Sequence, residues 1–111
     1  MTADISRLLL DIEQELKTLG WWDSEPPSAA ALASTQPFCI DTLSLPQWLQ
    51  FVLLPRLRAM LAAGSPLPGR IAVYPVAVES FKGVNADASA LNEAIARLDE
   101  ALSGRPVVRE S

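Results

Sequence analysis

Residues 34–61, STQPFCIDTLSLPQWLQFVLLPRLRAML, constrain the fold more than any other stretch of the chain. The run carries three formal charges, Asp41, Arg56 and Arg58, and sets Pro55 inside a pattern that otherwise reads as helix. From Trp48 to Ala63 nearly every side of that helix bears an apolar group: Leu49, Phe51, Val52, Leu53, Leu54, Leu57, Met60 and Leu61. A helix apolar all round is either the buried centre of its domain or is half covered by a partner. Ser44 opens it, and Gln47 three positions on completes a capping box. Pro46 is tolerated there because a first-turn amide has no intrahelical partner to lose. Pro55 deletes the amide that would bond back to residue 51, so the pattern predicts a kinked rod that ends at Gly64.

The remaining segments wrap this rod. Ile5, Leu8, Leu9, Ile12, Leu16 and Leu19 recur at helical spacing and predict an amphipathic helix over 2–19, with Thr2 as its cap. Glu13 and Lys17 stand four apart on its wet side, and Gly20 stops it ahead of Trp21 and Trp22. Pro26 and Pro27 forbid helix in the break 23–37, where Ser28 can cap one short extra turn over 29–33. Residues 70–81 are ambiguous, because Ile71, Val73, Val76 and Val78 have strand character while Pro75 would spoil a central strand. The reading is a short helix over 73–82. Leu91, Ile95, Leu98 and Leu102 form the seam of a last helix over 86–102, capped by Asn85 or Asp87. Gly104 and Pro106 end it, and the tail 105–111 is expected to fray. Helices with no second β segment to pair give an all-α fold: a four-helix bundle forming a single domain over 1–104, with a kinked central second helix.

At this length one domain buries roughly two thirds of the surface its unfolded chain exposes. Half the residues are hydrophobic and 20% are charged, the balance of an ordered globular chain. A net charge of −4 opposes broad adhesion to nucleic acid or to an anionic membrane, so direct nucleic-acid binding is not expected. The single cysteine, Cys39, has no partner for an internal disulfide and reads as a packing residue. Histidine is absent, which removes Ser-His-Asp and Cys-His catalysis and most zinc sites. Pro68-Gly69-Arg70 has neither the glycine spacing nor the lysine of a phosphate cradle. No catalytic, cofactor-binding or metal-binding residue is assigned, and the chain reads as non-enzymatic. Asp4 and Asp11 bracket the apolar triplet of the first helix, unlike a secretory signal, and polar residues interrupt the greasiest run before it reaches spanning length. A cytoplasmic protein without membrane contact is expected.

Glu13, Glu15, Asp99 and Glu100 are expected on solvated faces, where a carboxylate lacks the shielding that shifts its pKa. Asp41 has three readings. Asp41 or Thr42 caps amides at the entry to the rod, Asp41 pairs with Arg56, or it joins Arg56 and Glu79 in a small-ligand or enzymatic site. Arg56, Arg58 and Arg70 cluster near one end of the rod, where arginines complement the helix dipole and cover apolar surface, or contact phosphate. Trp21, Trp22, Trp48, Phe51 and Tyr74 are core residues by default; exposed beside Pro55 they would anchor an interaction patch. The candidate interaction surface is therefore Phe38, Asp41, Trp48, Phe51, Pro55, Arg56, Arg58 and Tyr74, facing a protein partner or a second copy of the chain.

In order along the chain, STQPF at 34–38, Asp41-Thr42, QWLQ at 47–50, Leu54-Pro55-Arg56, PLPG at 66–69, Ala72-Val73 and Pro75 resemble the YqcC-like family of small proteobacterial proteins. The likeness covers nearly the whole chain, from the first helix and its trailing tryptophan to the last helix. It implies an all-helical bundle and tips residues 70–82 toward helix. The family is a domain of unknown function with no established catalytic residues, so the resemblance carries none over. Its genes tend to sit beside that of tRNA pseudouridine synthase C, which implies an accessory role near tRNA modification and a tRNA-modifying enzyme as partner. Cys39-Ile40 stand where the family pattern has bulkier apolar residues, and Val76-Ala77 where aromatic residues can occur.

Overall fold

Helix α1 (Thr2–Thr18) turns its periodic stripe inward: Ile5, Leu9, Ile12 and Leu16 are buried, with Leu8 and Leu19 half-buried beside them. The structure, a computed structural model, describes residues 2–69, 71–84 and 86–109. Capping by the Thr2 side chain or by Asn85, and the place of Arg70 in an arginine cluster, lie outside the described residues. Gly20 takes φ 76°, the left-handed turn that lets the Trp21 amide bond back to the Leu16 carbonyl at 2.9 Å. Trp21 then meets the Phe81 ring at 5.0 Å, while Trp22 lies under the Lys17 ammonium at 5.1 Å. Both tryptophans fold back on the bundle.

The one-turn helix α2 (Ala29–Leu32) is capped by Ser28, whose hydroxyl accepts from the Ala31 amide. A tight turn over Pro37–Cys39 leads to α3 (Leu45–Trp48), where Ser44 and Gln47 form the expected capping box. The rod does not run on as plain α-helix toward Pro55. Residues Leu49–Leu53 form a π turn, in which the Leu54 amide reaches back five residues to the Leu49 carbonyl. Helix α4 (Leu54–Ala63) starts there, so Pro55 falls in a first turn, where its missing N–H costs no intrahelical bond. The wide turn is how the rod absorbs its proline.

Helix α5 (Tyr74–Ser80) resolves the ambiguous segment, with Pro75 in its first turn, and α6 (Ser89–Ser103) closes the fold. The residue ahead of α5, Val73, has no side chain that can cap it. Asp99 supplies the cap from α6, accepting the Tyr74 amide at 2.7 Å. Asp99 is thus not on a solvated face but 2% exposed, since a carboxylate at a helix N-terminus satisfies orphan amides and meets the positive end of the dipole. Asp87 does not hold the expected cap position: Ala88 stands at the N-cap of α6 with no side-chain cap, and Asp87 accepts the Ser89 amide at 3.0 Å from one residue further out.

The α1 helix packs on α6 and α4, and α5 on α6, around one core. Leu9, Ile12 and Leu16 meet Leu49, Leu54 and Leu57 of the rod and Leu91, Ile95 and Leu98 of α6, all essentially sealed from solvent. The result is an all-helical bundle with no strand among the described residues. No described helix is long and apolar enough to cross a membrane. From Val107 to Arg109 the tail lies along α6. The Arg109 guanidinium bridges Glu93 (2.9 and 3.0 Å) and Glu100 (2.8 and 3.1 Å), and the Val107 amide donates to Glu100 at 2.8 Å. Two carboxylates one heptad apart on α6 hold the tail against the helix, a clasp that helix-ending signals at Gly104 and Pro106 do not foretell.

Candidate functional site

A cleft of about 700 Å³ lies between the end of α1, the entry to α3 and the end of α5. Its floor is apolar: Leu43, Leu45 and Phe81 are buried there, and Trp21 forms a wall. Its lips are apolar too, and open. Ile40 on one side is 66% exposed and Val84 is 41% exposed, and both line the cleft. Asp23, Ser44, Gln47 and Ser80 supply the polar groups. An open concavity of this size, lined by apolar and polar groups in similar measure, is a candidate binding site.

Two unusual pieces of backbone end on this cleft. The first carries Ile40. Phe38 and Cys39 stand in succession at φ 58° and 49°, a conformation that costs an L-residue roughly 1–2 kcal/mol. The pair is held from several directions: the Phe38 ring meets Trp48 edge-on at 4.8 Å, Cys39 is buried, and the Leu43 amide donates to the Cys39 carbonyl at 2.8 Å. Thr42 donates its hydroxyl to the Ala31 carbonyl at 2.7 Å, and the Ser34 hydroxyl donates to the Asp41 carboxylate. The second piece is the π turn, which contains Gln50, 7% exposed. Its side-chain amide pairs with both backbone groups of Asp23, accepting from the N–H at 2.8 Å and donating to the C=O at 2.7 Å. Gln47 donates to the Asp23 carboxylate at 3.3 Å while its own carbonyl receives the Ser44 amide. The irregular turn in the rod thereby fixes Asp23 on the cleft's rim.

The sequence profile of a family described as tRNA pseudouridine synthase C matches residues 4–101. Relatives include an uncharacterised protein of Haemophilus influenzae, 42% identical over 69% of this chain and 73% of its own, and YqcC of Escherichia coli, 41% identical over 67% and 69%. The solution structure of Escherichia coli YqcC superposes with a TM-score of 0.81 at 26% identity, covering 99% of this chain and 94% of that one. The chain belongs to the YqcC-like family. A protein of Pectobacterium carotovorum named tRNA pseudouridine synthase C is 41% identical over 58% of this chain, but that stretch is only 17% of its own length. Names within the family are mixed, so the label by itself assigns no activity to a YqcC-like chain.

Within this YqcC-like fold the residues singled out from the sequence scatter. Asp41 does not cap the rod, because Ser44 does, and no ion pair links it to Arg56 among the described residues. Glu79 pairs with Lys82 at 2.9 Å on the outside of α5. Asp41, Arg56 and Glu79 do not converge, and none of them lines the cleft. Tyr74 is buried at the start of α5, Pro55 and Arg56 are exposed on α4, and Phe51 is half-buried. Arg58 binds Glu13 across the bundle at 2.7 Å. Phe38 and Trp48 are brought together, as the brace under the strained turn. The lining residues Trp21, Asp23, Ile40, Phe81 and Val84 were not on that surface; Ile40 sits in an apolar run with nothing to signal exposure. Gln50 does carry a signal, a lone amide on the apolar side of the rod, which marks a buried partner and not just an interruption.

Carboxyls displaced from their ordinary range all lie away from the cleft. Hydrogen bonds from Lys17 and Arg58 hold Glu13 low. Arg109, with Arg97, holds Glu93 at about 2, and Arg109, with the Val107 amide, holds Glu100 at about 2. Burial pushes Asp99 up, opposed by the Tyr74 and Val73 amides. Among the described residues no group of three or more His, Cys, Asp or Glu is placed to hold a metal.

Proposed function

We propose that the chain is a non-catalytic helical module that docks on a tRNA pseudouridine synthase through the cleft between α1, α3 and α5. The observation that carries the reading is the cleft itself: an apolar floor between two exposed apolar lips, Ile40 and Val84, with its polar rim fixed from inside the bundle. Aliphatic and aromatic groups left open around a concave floor release water when a protein covers them. The synthase is supported as partner by the Pectobacterium protein, where a segment like this one shares a polypeptide with a much longer remainder. Two units joined in one chain need no separate encounter; as separate chains they need a docking surface.

The test mixes the purified chain with the purified synthase from the same bacterium and follows co-elution by light scattering. A second arm compares pseudouridine in tRNA from a strain lacking the chain with that from its parent. The expected result is a complex of the two proteins, and reduced modification without the module. A synthase that elutes alone, with tRNA modified equally in both strains, removes the reading. A peak at twice the chain's own mass would put a second copy in the synthase's place.

A further inference from the structure

We infer that the cleft seats a protein segment bearing an apolar side chain beside a lysine or arginine, the apolar group between Ile40 and Val84 and the cation on Asp23. The inference rests on the docking reading and goes beyond it by naming the chemistry of what docks. Among the described lining residues Asp23 alone is charged, so the charge that lines the cleft attracts a cation, and the net charge of −4 does not oppose one.

The Asp23 carboxylate is ready for one. Its backbone N–H and C=O are both taken by Gln50, so the residue is held before any partner arrives. On the side chain Oδ2 receives Gln47 at 3.3 Å, and Oδ1 has no hydrogen bond among the described residues. A carboxylate fixed through its own main chain loses little freedom on binding, which is the advantage of preorganisation. The opposite lip has the same character. Phe38 and Cys39 are in a backbone conformation that L-residues rarely adopt, and strain of this kind persists where the surroundings enforce it, commonly at ligand clamps. Here its consequence is a two-thirds-exposed isoleucine at the mouth of an apolar floor made by Leu43 and Phe81. The π turn and the left-handed pair are independent irregularities in the chain, and they deliver a carboxylate and an aliphatic group to one concavity.

The experiment pans a library of random dodecapeptides against the immobilised full chain, then titrates the recovered peptides as synthetic probes. Tryptophan emission follows binding, since Trp21 stands in the cleft wall. Enriched peptides should pair Leu, Ile, Phe or Trp with an adjacent Lys or Arg. Ile40→Asp, or Val84→Asp as a second lip variant, should weaken binding by about 30-fold, the size of an anchor residue's effect. Asp23→Asn should weaken it by about 5-fold and flatten its salt dependence. Leu10→Asp, exposed on α1 and outside the cleft, should change nothing. No enrichment, an acidic or uncharged consensus, or lip variants that bind as well as wild type would overturn the inference. Peptide binding without synthase binding would leave the cleft chemistry standing and remove the synthase. Synthase binding indifferent to Ile40→Asp and Asp23→Asn would do the reverse.

Discussion

The pair α1 and α6 and the stretch from Trp21 to Leu53 are built on different plans. Each of the two long helices is unbroken, and its seam residues fall at regular intervals onto the core: Ile5, Leu9, Ile12 and Leu16 face Leu91, Ile95 and Leu98. The other stretch holds a one-turn helix, two successive left-handed residues and a π turn. The regular pair contributes buried seams at even spacing, and departures from regularity gather around the cleft. A bundle can hold strained backbone at a binding surface when neighbouring helices supply the burial that keeps it in place.

That division predicts opposite responses on the two sides. Leu16→Ala removes a fully buried side chain of α1 and should cost about 2–5 kcal/mol in urea unfolding, the usual range for such a cavity. Peptide affinity of the fraction that remains folded should be unchanged. A large loss of affinity there would dissolve the distinction between the two regions. Gln50→Ala comes next. It leaves the Asp23 N–H and C=O without their partners, and a stability loss of about 1–3 kcal/mol is expected. Unlike Leu16→Ala it should also weaken binding, because Asp23 loses its anchorage.

The regular half was legible in the sequence because its information is local and repetitive: an apolar residue every three or four positions names both a helix and its buried face. Ser44 with Gln47, and Gly20 after the last turn, marked boundaries for the same reason. The cleft was not legible. Ile40 and Phe51 belong to the same apolar run, and which of them opens to solvent depends on how the 37–39 turn is braced by Phe38 on Trp48. Asp99 escaped because its role is set by α5, a segment distant in sequence whose first turn lacks a cap of its own. Asp99 does flank the seam, four after Ile95, and a carboxylate at such a position is a candidate for burial. The strained turn gives the next test. At position 39 glycine tolerates φ 49° where alanine does not, so Cys39→Gly should be more stable than Cys39→Ala by about 0.5–1 kcal/mol, the reverse of the order in an ordinary core. The alanine variant being the more stable would mean that the turn stores no strain.

The smallest effects are electrostatic, and they take opposite signs within α6 itself. Arg109 holds the Glu93 and Glu100 carboxyls at about 2, below their unfolded values near ~4.3. A lowered folded value stabilises the protein above the unfolded value, and that contribution is lost as pH falls toward 2. Arg109→Ala should therefore be less stable than wild type at pH 7, with the difference closing on acidification. Asp99 runs the other way. Burial raises it above its unfolded value near ~3.9, so its ionisation in the folded state costs stability as pH rises through that raised value. Asp99→Asn keeps an oxygen for the Tyr74 amide and removes the charge, so it should gain on wild type at pH 7 and match it at low pH. Urea unfolding across pH 2–7 reads both differences. Should Asp99→Asn lose stability at pH 7 instead, the attraction of the carboxylate for the start of α5 outweighs its desolvation, and α6 would be holding α5 by charge rather than by hydrogen bonding alone.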